Sequence, residues 1–365
     1  MLTISQRMNP AYSDMSDSEL EERIGAAKAA LGDRALLLGH HYQREEVMRW
    51  CDVSGDSFGL SQIAASKKGL ELVVFCGVHF MAESADILTG DETKVILPDL
   101  AAGCSMADMA DIEQVTRAWE DISEVTDIER VLPITYMNSS ADLKAFVGER
   151  GGVVCTSSNA RAVLEWAFDV RQAERVLFFP DQHLGRNTAR GMGITEEEMP
   201  VWDPAQALGG LSKASVEDSR VLLWKGHCSV HQRFSVSQIE RWRAANPKGL
   251  VVVHPECSAE VVEAADASGS TDFIIKYLEE NGEASVAIGT EINLVARLAR
   301  RWPGRLIECL DDAVCPCVTM SRIDAPHLAW VLEEAVMGRI RNQIRVEAAT
   351  AAKAKLALDR MLAIC

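Results

Sequence analysis

No stretch of this sequence is apolar for long enough to cross a membrane, and its N-terminus is polar rather than signal-like. Positive charge is scarce: 37 Lys and Arg stand against 54 Asp and Glu, a formal net charge of −17. That balance argues against nucleic acid or an anionic membrane surface as a partner. There is no Walker A sequence, no His-Glu-x-x-His and no Gly-x-Gly-x-x-Gly opening a helix. Those absences remove P-loop, zinc-hydrolase and dinucleotide-fingerprint chemistry. No Cys-x-x-Cys pair and no low-complexity linker occur either. The ten cysteines, lacking a secretory signal, point to a reducing, cytoplasmic setting where they serve as thiols or metal ligands. A chain this acidic binds an anionic substrate only through a locally positive site, built from backbone N–H groups, helix N-termini or a metal.

What is present is a phrase repeated three times, each copy ending on cysteine. The first copy runs from LLLGHHYQ (Leu36–Gln43) to AAGCS at Cys104. The second runs from LPITYMNSSADLKA at Leu132 to WKGHCSVH at Cys228, and the third from VVVHPEC at Val251 to ECLDDAVCPC at Cys315 or Cys317. Such a repeat implies one supersecondary unit used three times about a pseudo-threefold axis. Within each copy, short apolar runs alternate with helical patterns, the signature of βαβ units and parallel sheets. The predicted strands are Ala35–Leu38, Leu72–Phe75 and Val95–Leu97, then Leu132–Thr135, Val176–Phe179 and Val221–Trp224, then Val251–Val253, Val286–Ile288 and Arg305–Glu308.

The expected fold class is therefore α/β: three homologous three-layer αβα domains with parallel sheets, and the active site at their central interface. The predicted organisation is an N-terminal helical extension over 1–30, opened by a capping box at Ser16–Glu19. Domain 1 follows over 31–104 and is completed by 316–365, domain 2 covers 105–228, and domain 3 covers 229–315. An insertion in the middle copy, around Gly185–Lys213, reads as surface loop.

Cysteines at equivalent places in three copies read as one ligand set, Cys104, Cys228 and a third at Cys315 or Cys317. Soft thiolates select zinc or iron–sulfur clusters. Zinc normally takes four ligands, often in Cys-x-x-Cys pairs. Three thiolates on a [4Fe–4S] cluster leave one iron open as a Lewis acid. Cys51, Cys76, Cys155, Cys309 and Cys365 read as small buried hydrophobes.

Functional residues of open α/β sheets collect at the carboxyl ends of the strands. There the copies carry His40-His41-Tyr42, Tyr136-Met137-Asn138 and His254-Pro255-Glu256. Each copy also places a hydroxyl where a helix should begin: Ser57, Ser157 and Thr271. These read as N-caps and, pointing at one axis, as an anion site. Imidazole, phenol, amide and carboxylate together are a set able to run acid–base chemistry. His79, His183 and His231 read as structural.

On HHYQ, VHFMAESADIL, AGCSMA, TYMNSSADLKA, CTSSNA, PDQHLG, GHCSVHQRF, VVVHPEC, IGTE and CPCVTM, the chain resembles quinolinate synthase, from Leu36 to about Leu328. The resemblance implies condensation of iminosuccinate with dihydroxyacetone phosphate to quinolinate, with loss of phosphate and two waters, in NAD biosynthesis. It implies a [4Fe–4S] cluster on Cys104, Cys228 and Cys315. It places His40, Ser57, Tyr136, Met137, Asn138, Ser157, His254, Pro255, Glu256 and Thr271 around the substrate, with Tyr42, Glu256, His254 and His40 catalytic. It further implies a functional link to an aspartate oxidase or dehydrogenase that supplies iminosuccinate. Two departures stand out: His-His replaces the family's His-Asn before Tyr-Gln, and Cys317 adds a thiol beside Cys315. Another [4Fe–4S] hydro-lyase shares the three-thiolate logic but needs no phosphate site. An iron–sulfur sensor would need a partner surface.

Overall fold

Runs rich in Val, Leu and Ile, too short for helices and bounded by polar clusters, become buried strands. The computed structural model describes residues 8–67, 69–311, 313 and 316–364. It divides into two compact units, residues 1–104 with 315–347 and residues 105–314 with 348–365. Helices flank three predominantly parallel sheets, so the α/β class is as expected.

The first unit holds β1 (Ala35–His40), β2 (Val53–Gly55), β3 (Leu72–Cys76) and β4 (Lys94–Ile96). The second unit holds β5 (Val131–Tyr136), β6 (Val153–Cys155), β7 (Arg175–Phe179), β8 (Val201–Trp202) and β9 (Val221–Trp224). It also holds β10 (Leu250–Val253), β11 (Ala267–Ser268), β12 (Val286–Gly289) and β13 (Ile307–Cys309). A last strand, β14 (Gln343–Ile344), returns to the first sheet and pairs antiparallel with β4.

The shared topology is β2-β1-β3-β4, then β6-β5-β7-β9, then β11-β10-β12-β13. In each sheet the order of strand addition reverses between two parallel neighbours, β1 and β3, β5 and β7, or β10 and β12, the switch point where open α/β sheets bind ligands. Register explains why the same residue types recur. His40 pairs with Gly55, Tyr136 with Cys155, and Val253 with Ser268. In all three sheets the end of the first strand therefore lies beside the chain that leads into Ser57, Ser157 or Thr271.

Two expectations change. The Gly185–Lys213 insertion is not a surface loop. The helix Gln182–Gly191 covers its start, and β8 extends the second sheet as an edge strand. Trp202 of β8 is 1% exposed, and Gly209, at φ +64°, passes so close that a Cβ would lie 2.4 Å from its ring. Apolar burial outweighs the Gly-rich composition that suggested a loop. Residues 348–365, expected to complete domain 1, belong instead to the second unit, where the helix Ala348–Ala363 packs along Ala141–Glu149 and β6. Its buried side is Ala354, Ala357, Leu358 and Met361, and close approach is allowed by Gly148, where a Cβ would lie 2.0 Å from the Lys353 carbonyl oxygen. In the first unit the helix Asp17–Leu31 carries its capping box, Ser16 with Glu19, and packs on Ala325–Val336. Arg23 donates to both oxygens of Glu333 across that contact, at 2.7 and 2.6 Å.

Candidate active site

In the second unit, the carboxyl ends of β5, β9 and β10 bring one buried carboxylate together with a phenol, two imidazoles and a thiol. Glu256 lies three residues beyond β10 and is 4% exposed. The Tyr136 hydroxyl, at the end of β5, donates to its Oε1 at 2.6 Å. His231 Nδ1 lies 2.8 Å from its Oε2. A carboxylate only accepts, so Nδ1 carries a proton, and Nε2 lies 3.2 Å from the Thr290 hydroxyl. The His231 ring stacks on His254 with centroids 4.5 Å apart. His254 Nδ1 takes the Glu256 backbone N–H at 3.4 Å, leaving its proton on Nε2.

Burial by itself would push the Glu256 carboxyl up. The His254 and His231 rings, together with donation from His231 and Tyr136, outweigh it and hold the group below the usual carboxylate range. Burial pushes His254 down to about 3, so its imidazole is neutral near pH 7. His183 follows the same cause to about 4. Asp181 moves the other way, raised by burial and then by the nearby Glu256 charge. The site thus keeps the Glu256 carboxylate anionic beside a neutral His254. Lys144 is fully buried close by in sequence, and its ammonium donates to the Ser139 carbonyl in the turn after Tyr136.

Sequence reasoning leaves His231 among the structural histidines, yet it touches Glu256 directly. The signal was its place three residues after Cys228, in GHCSVH. The short helical turn His231–Arg233 follows Cys228 closely, and the Cys228, His231 and Glu256 ligand atoms lie within 4.8 Å of one another. Such a soft-plus-imidazole donor set fits a transition metal. Fully buried Cys155 and Cys257 contrast with half-buried Cys228: burial pushes both of their thiols up and leaves them inert.

The N-cap expectation is corrected in all three copies. The cap of Ser57–Ser66 is Asp56, which accepts from Gly59 N at 2.8 Å, and the cap of Thr271–Glu280 is Ser270, which accepts from Phe273 N at 3.3 Å. A cap needs extended backbone, and Asp56 and Ser270 have it, with ψ of 177° and 172°. Ser57 and Thr271 are the first helical residues instead. Ser157 lies in the turn before Ala160–Glu165, whose N-cap position is Asn159. The consequence is largest at Thr271, whose Oγ1 is buried without a hydrogen-bond partner among the described residues. Asn138 Oδ1 is in the same condition, and Met137 beside it is 1% exposed.

In the first unit, His40 ends β1 at 5% exposure and accepts the Tyr42 backbone N–H on Nδ1 at 3.2 Å. The two rings meet edge to face at 4.8 Å. Buried Gln43 reaches the Met320 carbonyl at 3.2 Å, fixing the turn that carries Tyr42. Cys104 is half-buried, eight residues beyond β4. Cys317 Sγ lies 3.5 Å from Thr319 Oγ1. Cys315 lies outside the described residues. Among the described residues no helix is long and apolar enough to cross a membrane.

The family described as NadA, quinolinate synthetase A protein, matches residues 22–363. The chain is 56% identical over 354 residues to the quinolinate synthase of Corynebacterium glutamicum, covering 97% of this chain and 89% of that one. It is 53% identical to that of Rhodopirellula baltica, over 97% and 93% of the two chains. It is 51% identical to that of Bacillus velezensis, over 99% and 98%. With nearly the full length matched in every case, the chain belongs to the quinolinate synthase family, enzymes of NAD biosynthesis.

Proposed function

We propose that this enzyme condenses iminosuccinate with dihydroxyacetone phosphate to give quinolinate, one phosphate and two waters. The observation that carries the reading is the buried Glu256 carboxylate, gripped by Tyr136 and His231 beside Cys228. Joining two such partners requires a base for a carbon-bound proton and acids for departing oxygens. Glu256 is the proton acceptor. Its two donors keep it anionic in the resting site, and displacement of one donor by substrate raises its basicity when a proton must be taken. Tyr42 and the Nε2–H of neutral His254 are the donors, and His40 orients Tyr42. Ser57, Tyr136, Met137, Asn138, Ser157, Pro255 and Thr271 bind the substrate. The Thr271 hydroxyl and Asn138 carbonyl, unpartnered among the described residues, support that assignment.

Cys104, Cys228 and Cys315 are the proposed ligands of a [4Fe–4S] cluster, and Cys317 is a neighbouring thiol rather than a ligand. Held by three thiolates, such a cluster keeps one iron open and supplies a Lewis acid there. The half-buried Cys228 thiol, with imidazole and carboxylate beside it, suits that group. Iminosuccinate comes from an aspartate oxidase or dehydrogenase in the cytoplasm.

Anaerobically reconstituted protein tests the proposal. Quinolinate should form only when dihydroxyacetone phosphate is supplied, with stoichiometric phosphate release. Cys104→Ser and Cys228→Ser should lose iron and sulfide. Glu256→Gln should keep both and turn over about 10²- to 10⁴-fold more slowly. Turnover at the wild-type rate in Glu256→Gln, with iron content intact, would sink the proton-acceptor role. Dehydration of a hydroxy acid without a phosphate substrate would replace the condensation by a hydro-lyase.

A further inference from the structure

The Glu256 carboxylate is held at its tip by Tyr136 and His231, but its backbone is held from somewhere else. The turn that carries it follows β10 of the third sheet, and its carbonyls face the helix Gln182–Gly191, which belongs to the second sheet. Asn187 Nδ2 donates to the Pro255 carbonyl at 2.8 Å and to the Cys257 carbonyl at 2.9 Å. These two carbonyls flank Glu256. Both partners only accept, so the amide nitrogen must face them and both of its hydrogens are used. The Glu256 carbonyl between them takes a longer contact, 3.5 Å, from Gln232.

The helix is placed for this task. Asp181 caps it, with Oδ1 accepting from His183 N and Leu184 N. Gly185 lets it sit directly on the second sheet, since a Cβ there would lie 2.6 Å from Leu223 and 2.8 Å from Phe178. Asn187 and Arg190 are three apart and share a face, and Arg190 reaches Glu263 on the helix Ala259–Ala264 at 3.2 Å. Asn is a poor residue for a helix interior. Local propensity therefore does not explain Asn187, whereas the bidentate grip does.

We propose that Asn187 is a positioning residue for the reaction: it clamps the Pro255–Cys257 turn from the second sheet and so sets where the Glu256 carboxylate stands. This rests on the proton-acceptor reading of Glu256 given above. Asn187 acts through Glu256 and needs no contact with substrate.

The test uses the full chain, reconstituted anaerobically, with Asn187→Asp and Asn187→Leu. The first puts a carboxylate against two carbonyls, and the second keeps the approximate volume with no donor. Both should retain iron and sulfide. kcat should fall about 10- to 100-fold, the scale of a misplaced reacting group, while KM moves little. In a Glu256→Gln background the same changes should have almost no further effect, because the group they position has already been replaced. Wild-type kcat in Asn187→Asp overturns the proposal, as does a loss that multiplies undiminished on Glu256→Gln. Hydrogen exchange of the 254–258 segment reads the clamp without turnover. It should speed up about tenfold or more in both variants, and unchanged exchange overturns the clamp. Wild-type turnover in Glu256→Gln itself would overturn the reading of the site, and the exchange result would still decide the clamp.

Discussion

Burying a hydroxyl with no partner costs about 1–3 kcal/mol, and the Thr271 hydroxyl is buried with none among the described residues. A substrate group that accepted from or donated to that hydroxyl would offset the cost. Thr271→Val removes the hydroxyl and keeps the branched shape at the first position of the helix. Two opposite effects are expected. Cluster-free protein should unfold at the same or a slightly higher urea concentration, because an unsatisfied group is gone. Substrate binding should weaken about 10- to 150-fold if the hydroxyl bonds a substrate carboxylate or phosphate. A variant that lost stability and kept its KM would identify Thr271 as a packing residue. Sequence singled out Thr271 for its position and missed its state. The neighbouring Ser270 takes the cap, and serine and threonine in succession give no local sign of which will do so. His231 shows the same limit: the residue is obvious in GHCSVH, but its bond to Glu256 depends on how β9 and β10 end in space.

At the scale of elements, strand identity was legible because the apolar runs are short and their β-branched residues have one place to go. The strands missed, β2, β6, β8, β11 and β14, are two or three residues long; β4 and β13 are as short but were legible from their place before a repeated cysteine. β14 is held by something other than hydrophobic pattern. Glu334, 8% exposed near the end of the helix Ala325–Val336, accepts from Arg339 Nε at 2.9 Å and Arg341 Nε at 2.6 Å. The hydrogen bond from Arg339, assisted by Arg341, holds its carboxyl at about 2, against an ordinary 4.5. A depressed carboxyl pKa stabilises the fold above the unfolded value and loses that contribution as pH falls through the folded one. Glu334→Gln should therefore cost about 1 kcal/mol at pH 7, kept small because half of the Arg339 side chain is exposed to solvent. The difference from wild type, measured as urea midpoints on cluster-free protein, should shrink between pH 4.5 and 2. A difference that stays constant across that window would mean the turn is held by packing.

At the scale of the molecule, the threefold repeat was the most legible feature, and the common strand order in the three sheets is its physical content. The destination of the last helix was not legible, since an Ala-rich amphipathic segment fits many grooves. Net charge was legible too, and it has a consequence for the proposed reaction. Iminosuccinate carries two carboxylates and dihydroxyacetone phosphate a phosphate, while the chain carries −17. The long-range field therefore opposes both substrates on approach, and only the local site attracts them. Salt screens the first effect and largely spares the second: the Debye length falls from about 30 Å at 0.01 M to about 8 Å at 0.15 M. Raising ionic strength over that range with potassium chloride should increase kcat/KM severalfold and leave kcat unchanged. Enzymes that steer their substrates electrostatically show the opposite slope. Steady-state rates in phosphate-free buffer decide it. A kcat/KM that falls steadily with salt would mean that cationic groups near the site, such as the buried Lys144, already overcome the charge of the whole chain.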